Sequence, residues 1–243
     1  MTLQNTTRTH ITINAQAVPL VARVNRRAKR LILKVDPISG EIFVTAPTKS
    51  SIPEAIDFAI ENSTWISRQM RTQRRAQPFC EHSTVPIYGV PHHIERRGGA
   101  RSAIAIDGSD TENPTLRVGG EPAHINRRIT DWMKREARTA FTERVSIHCA
   151  TLGKYPSKIR IRDARTRWGS CSTAGVLNFT WRLIMAPPFV LDYVAAHECS
   201  HLLHMHHGPA FWREVARLGV DSRQAENWLK AEGPALFCYG AKA

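Results

Sequence analysis

Hydrophobic positions gather in four early stretches, residues 9–14, 18–24, 31–35 and 41–46. All four are short and rich in Val, Ile and Thr, and they read as strands. Asp36-Pro37-Ile38-Ser39-Gly40 lies between the last two and predicts a hairpin. Ser51-Ile52-Pro53-Glu54 then has the form of a capping box opening a helix. Ile56, Ile60, Trp65 and Ile66 give that helix its apolar stripe. Arg68, Arg71, Arg74 and Arg75 crowd its C-terminal end, where cations suit the helix dipole. Strands return at 85–90, 92–95, 103–106 and 116–118, with a solvated loop over 107–114. After Gly119-Gly120 the pattern changes. Ile125, Ile129, Trp132, Met133, Ala137, Phe141, Val145 and Cys149 recur at three and four, which predicts one long helix over 122–152, stopped at Gly153. Ile159 and Ile161 next alternate with Lys158, Arg160 and Arg162, and residues 167–172 and 175–183 read as a second hairpin. Pro187-Pro188 opens a further helix, and two more are expected at 209–218 and 222–232. The class is therefore α+β. With the boundary placed near Gly120, residues 1–120 form an N-terminal β-rich module with one helix and residues 121–243 a second domain.

Composition narrows the class. With 42% hydrophobic and 23% charged residues in 243, the chain is neither a disordered tail nor collagen-like. No apolar run approaches the roughly 20 residues of a membrane span, and the opening segment lacks the apolar core of a secretory signal. Five cysteines (80, 149, 171, 199 and 238) lack CxxC spacing, which argues against a disulfide framework or a cysteine-only zinc cluster and for a reducing, cytoplasmic setting. A formal charge of +13 leaves two accounts open, a polyanionic partner or solubility alone.

His197-Glu198-Cys199-Ser200-His201 is an HExxH sequence on a predicted helix. Four residues at 100° each bring the second imidazole within about 40° of the first, so both can face one metal ion. Glu198, beside His197, reaches a water at that ion without being a ligand, and can take its proton as general base. The bland alternative is a helix with two ordinary histidines. Against it, the motif follows an apolar run, where an unpaired glutamate is costly, and five of the chain's 11 histidines fall within residues 197–207. The third ligand is more open. His204 would crowd the first two; His207 lies past the expected helix end before Gly208-Pro209; His206 is its rival; Glu214 and Glu226 are not excluded by spacing.

Taken together, Arg167-Trp168-Gly169-Ser170-Cys171-Ser172, Asp192-Tyr193-Val194 leading into the HExxH, and His207 followed by Phe211-Trp212 resemble the YgjP-like metallopeptidases, relatives of the SprT-type zinc proteases. Arg26-Arg27-Ala28-Lys29-Arg30, Val44-Thr45-Ala46-Pro47, Trp65-Ile66 and Ile87-Tyr88-Gly89 extend the likeness over nearly the whole chain. The resemblance implies a zincin-like second domain, Zn²⁺ held by His197, His201 and His207, and a polypeptide substrate. Cys199 departs from it, because family members usually have Leu there. The resemblance also implies that the 167–172 hairpin packs beside the metal helix. There Arg167, Trp168, Gly169 and Ser170 could align an extended peptide by strand addition, or form a structural turn with Trp168 in the core. Cys171 and Cys199 read as small buried residues, Phe211 and Trp212 as core anchors behind His207, and Asp192 either as a carboxylate that orients a ligand histidine or as a solvated one.

The expected function is zinc-dependent peptide hydrolysis with Glu198 as general base and then proton donor. Two alternatives stand beside it: hydrolysis of a nucleoside triphosphate at the same metal, and a nucleic-acid-associated adaptor with structural zinc. Glu198 speaks against the adaptor, since a structural site is closed by four protein ligands and needs no base. Charge does not sit in a tail, because residues 1–120 carry 16 basic and 10 acidic side chains and residues 121–243 carry 18 and 11. Its densest run, Lys154 to Arg167, leads into the active-site hairpin. If that run guides an acidic substrate, reversing the charge of Lys158, Arg160 and Arg162 slows turnover and flattens its salt dependence. Turnover indifferent to the reversal would assign the charge to solubility.

Overall fold

The computed structural model describes residues 6–36, 39–71, 76–164 and 167–240. Pro37 and Ile38 of the expected turn, and Arg74, Arg75 and Arg165 of the basic clusters, lie outside them. The chain forms two compact units, divided between Ala76 and Gln77.

In the first unit, β1 (Thr6–Ile13), β2 (Gln16–Val24), β3 (Ile32–Val35) and β4 (Ile42–Ala46) form a sheet of order β1-β2-β4-β3. The β1–β2 and β3–β4 pairs are antiparallel and β2–β4 parallel. Asn14 and Ala15 connect β1 to β2 as a two-residue loop, both at positive φ (50° and 64°), the backbone a tight hairpin requires. Alternation turns Leu20, Ala22, Ile42, Val44 and Ala46 to one face, where they bury Ala55, Ala59 and Ile66. Those last three come from two helices rather than the one expected, α1 (Ile52–Glu61) and α2 (Ser63–Arg71). The break falls at Asn62, whose side-chain amide donates to the Phe58 carbonyl at 2.8 Å and so competes with the helical ladder. The expected capping box is not made. Ser51 Oγ is 2.7 Å from Thr48 Oγ1 and forms no side-chain bond to the helix backbone.

The second unit opens with β5 (Thr84–Ile87), β6 (Val90–Arg96), β7 (Ala105–Asp107) and β8 (Thr115–Val118), in the order β5-β6-β8-β7. Val85, Ile87, Ile94, Leu116 and Val118 share one buried core with Ile125, Ile129 and Phe141 of the long helix α3 (Pro122–Leu152). That shared core is why the compact units divide near residue 76 and not near Gly120: the change of period there marks a change of element within one core. A second sheet of order β10-β11-β9 follows, from β9 (Lys158–Arg162), β10 (Gly169–Cys171) and β11 (Val176–Thr180), which leaves β10 at an edge. Phe141 of α3 stacks on Phe179 of β11 with centroids 4.1 Å apart.

A 3-10 turn, Trp181–Met185, leads into α4 (Pro188–Ser200), and α5 (Pro209–Arg217), α6 (Ser222–Ala231) and the short α7 (Gly233–Leu236) complete the unit. Arg182 is buried against the Trp181 ring and donates to the carbonyls of Leu236 and Tyr239 at 3.3 and 2.6 Å. It also meets Asp163 at 3.2 Å, so one charged side chain binds the chain's last described segment to the core. Behind α4, Cys199 faces Cys149 of α3 with 3.7 Å between sulfurs, both fully buried. No described helix is long and apolar enough to cross a membrane.

Candidate metal centre

Helix α4 is apolar around most of its circumference and is buried accordingly, with Val190, Leu191, Val194, Ala195 and Ala196 in the core. Its last turn carries His197 and Glu198. The helix ends at Ser200 with His201 as C-cap, so His207 lies past the helix end, as expected. The N–H groups of Leu203 and His204 both return to the Ser200 carbonyl, closing the turn there. Ending early frees residues 202–208 to fold back, and the imidazoles of His197, His201 and His207 come together, with one nitrogen from each within 4.8 Å of the others. His197 Nε2 and His207 Nε2 are 3.0 Å apart. Among the described residues, this is the group of side chains able to hold a metal ion.

The other ligand candidates lie outside the cluster. Glu214 pairs with Arg217 at 2.8 Å, Glu226 accepts a hydrogen bond from the Tyr193 hydroxyl at 2.8 Å, and His204 meets His201 Nδ1 through its backbone carbonyl at 3.0 Å. His206 is exposed and outside the cluster. Asp192, open between orienting a ligand histidine and being solvated, does neither: it meets buried His148 of α3 at 2.8 Å and Arg144 at 3.9 Å. Phe211 of α5 is fully buried and lies against all three imidazoles, with centroids 4.5, 4.8 and 4.9 Å away. It anchors the whole cluster and not His207 alone. Trp212 differs from expectation: 38% exposed and 6.0 Å from the His207 ring, it sits at the rim.

Glu198 is 6% exposed, and its Oε2 has no hydrogen-bond partner among the described residues. Its other oxygen packs against Gly169 of β10, where a Cβ would stand 2.5 Å from Oε1. Glycine is thus the residue that lets the edge strand close over the carboxylate, a reason for Gly169 that spacing alone does not reveal. Burial pushes the Glu198 carboxyl up to about 8, only partly opposed by the Arg167 guanidinium. Burial, then the charges of His201 and His207, pull His197 down to about 4, so its imidazole stays neutral with a lone pair to give. Burial also raises Tyr193, aided by its bond to Glu226, and holds the Cys171 thiol up at about 11. Cys171 is therefore no thiolate at neutral pH, and Cys199 is raised as well, first through its contact with Cys149.

Two clefts of about 350 and 370 Å³ flank this carboxylate and share Arg167, Gly169, His197 and Glu198. Trp168, Val194 and Leu229 wall the first; Ser170, Met205 and His207 line the second. All four residues expected to meet substrate, Arg167, Trp168, Gly169 and Ser170, line one or both. Trp168 also stacks on Phe237 at 4.8 Å, so it serves core and cleft together.

The metal-capable cluster, the buried carboxylate and the edge strand thus lie together in the second unit. The family model described as the YgjP-like metallopeptidase domain matches residues 29–232, and the chain belongs to that family. Comparison with curated protein sequences finds no significant match. Among solved structures, the metallopeptidase zymogen of Pyrococcus abyssi abylysin is similar at 21% identity and a TM-score of 0.34, over 38% of this chain and 92% of that one.

In protein stripped of divalent ions, the raised Glu198 pKa has a stability consequence. The unfolded carboxyl ionises near 4.5 and the folded one near 8, so its contribution is fully present below the first value and is lost as pH rises through the second. His197 acts oppositely, contributing above 6.5 and losing that contribution as pH falls toward 4. Comparing wild type with Glu198→Gln cancels the histidine effect. Between about pH 5 and 8 the metal-free wild type should lose stability relative to the variant, on the order of a few kcal/mol by urea unfolding. Parallel pH profiles would show that the carboxylate is solvated after all.

Proposed function

We propose that this chain is a zinc-dependent peptidase in which His197, His201 and His207 hold the ion and Glu198 is the base. The observation that carries the reading is the Glu198 carboxylate, buried with an unpartnered oxygen in the wall between two clefts, one residue from the imidazole cluster. The donor set fits zinc. Bonds of about 2.0–2.1 Å to a tetrahedral ion put ligand nitrogens about 3.3 Å apart; His197 and His207 Nε2 stand 3.0 Å apart, and one nitrogen from each of the three rings lies within 4.8 Å of the others. Three ligands leave a tetrahedral ion one open position, as hydrolysis requires and a structural site does not.

When bound, the ion supplies Lewis acidity, acidifying a water and polarising the scissile carbonyl. Glu198 takes the proton of the attacking water and gives it to the departing amine. Gly169 keeps its oxygen within reach of both clefts, and the low exposure of Glu198 keeps bulk water from competing for it. Strand β10, at the edge of its sheet among the described residues, offers Gly169 and Ser170 backbone groups to an extended peptide, with Arg167 and Trp168 flanking it. A reducing, cytoplasmic setting is part of the same reading, supported by the free thiols of Cys80, Cys149, Cys171 and Cys199.

Hydrolysis of a nucleoside triphosphate is the second reading, favoured by exposed Arg162 and Arg167, which line a cleft with Trp168, Gly169 and Ser170. The wall of Trp168, Val194 and Leu229 favours peptide side chains over a triphosphate. A paired assay separates the two: zinc-loaded protein incubated with unfolded polypeptides and, separately, with nucleoside triphosphates. Peptide cleavage that stops on chelation is the expected result. Phosphate release without peptide cleavage would move the assignment to the phosphoanhydride reaction, and absence of both would remove the enzyme reading.

A further inference from the structure

Tyr193 lies one turn before His197 on α4 and is 4% exposed. Its hydroxyl is shared between two neighbours. One is Glu226 Oε1 on α6, at 2.8 Å; the other is His197 Nδ1, at 3.4 Å. A phenol has one proton, and the shorter, charge-assisted bond to the carboxylate uses it. Toward His197 the oxygen can then only accept, so Nδ1 carries the imidazole proton and Nε2 keeps its lone pair. That lone pair points to where His207 Nε2 stands 3.0 Å away, at the centre of the cluster. His201 meets the same requirement locally, its Nδ1 donating to the His204 carbonyl at 3.0 Å. For His197 the acceptor is instead the Tyr193 hydroxyl, itself held by a carboxylate on another helix, 33 residues beyond the tyrosine.

We infer that Tyr193 and Glu226 are positioning residues that fix the tautomer and orientation of His197 for metal binding, making α6 part of the metal centre. The inference rests on the ligand set proposed above. Glu226 is therefore a support held one hydroxyl away from a ligand, although spacing left it open as a ligand itself. Its side chain is 40% exposed, with Lys230 at 3.9 Å, so changing it does not open the core. The same two side chains also join α4 to α6, so a purely mechanical role makes a different prediction: lower thermal stability with unchanged metal affinity.

Zinc affinity measured by chelator competition tests this without any substrate. Tyr193→Phe keeps the packed ring and removes only the hydroxyl, and should weaken zinc binding about 10- to 100-fold, the range for residues behind metal-ligating histidines. Glu226→Gln should weaken it as well, and should have no further effect in the Tyr193→Phe background, because it acts through the hydroxyl. Imidazole ¹⁵N shifts of zinc-loaded wild type should report a proton on His197 Nδ1. Zinc affinity within twofold of wild type in both single variants would overturn the inference, as would additive losses in the double variant. If Tyr193→Phe does not fold, Glu226→Gln and the ¹⁵N shifts decide alone. Wild-type protein that binds no zinc would refute the ligand set along with it, whereas tight wild-type binding unchanged by either variant would refute only the positioning role.

Discussion

A carboxylate taken out of water needs a cation, a donor or a proton to make its burial tolerable, and the second unit is arranged around one such group. Glu198 is closed in by β10, which approaches so nearly that the strand must have glycine at residue 169. It is closed in also by α4, whose own face is core. His197, held neutral by burial and by the two neighbouring imidazoles, stands next to it with His201 and His207, and Phe211 packs against all three rings. An ion shared by the imidazoles would supply the missing positive charge, which is why the cluster and the carboxylate are best understood together. The long stacked interface of α3 with β11 and α4 gives this arrangement its rigid backing, and the Arg182 bonds to the Leu236 and Tyr239 carbonyls hold the C-terminal segment in place.

Much of this was legible in the residues, and the reasons differ from element to element. The long helix over 122–152 follows from a regular apolar period, and the observed helix has the same ends. The hairpin of β10 and β11 and the opening of α4 at Pro188 follow from turn and proline chemistry. His197 and His201 share a face because four residues make about one turn. What was not legible depends on contacts distant in sequence or on competing local bonds. Asn62 divides one expected helix into two by capping onto Phe58, and Thr48 takes the hydroxyl that a capping box would have used. A boundary near Gly120 reflects a true change of period, but Leu116 and Val118 bury themselves with α3, and burial decides which residues form a unit.

In the centre itself, the same distinction holds. Local spacing brings two histidines together, and the early end of α4 at Ser200 is what lets the third arrive. No periodicity signals the Tyr193–Glu226 bond between α4 and α6, or the fit of Gly169 against Glu198, because each joins segments about 30 residues apart. Asp192 shows the converse error. Its place just before the motif suggested a role behind a ligand, but helical geometry turns it toward His148.

The central claim is that Glu198 is a base working beside a bound zinc ion, and Glu198→Gln tests it most directly. The amide is nearly isosteric, leaves the three histidines untouched and cannot accept a proton. Measured on the same samples, zinc content should stay at about one ion per chain while peptide-bond turnover falls by two or more orders of magnitude. A variant that keeps both its zinc and its turnover would contradict the account.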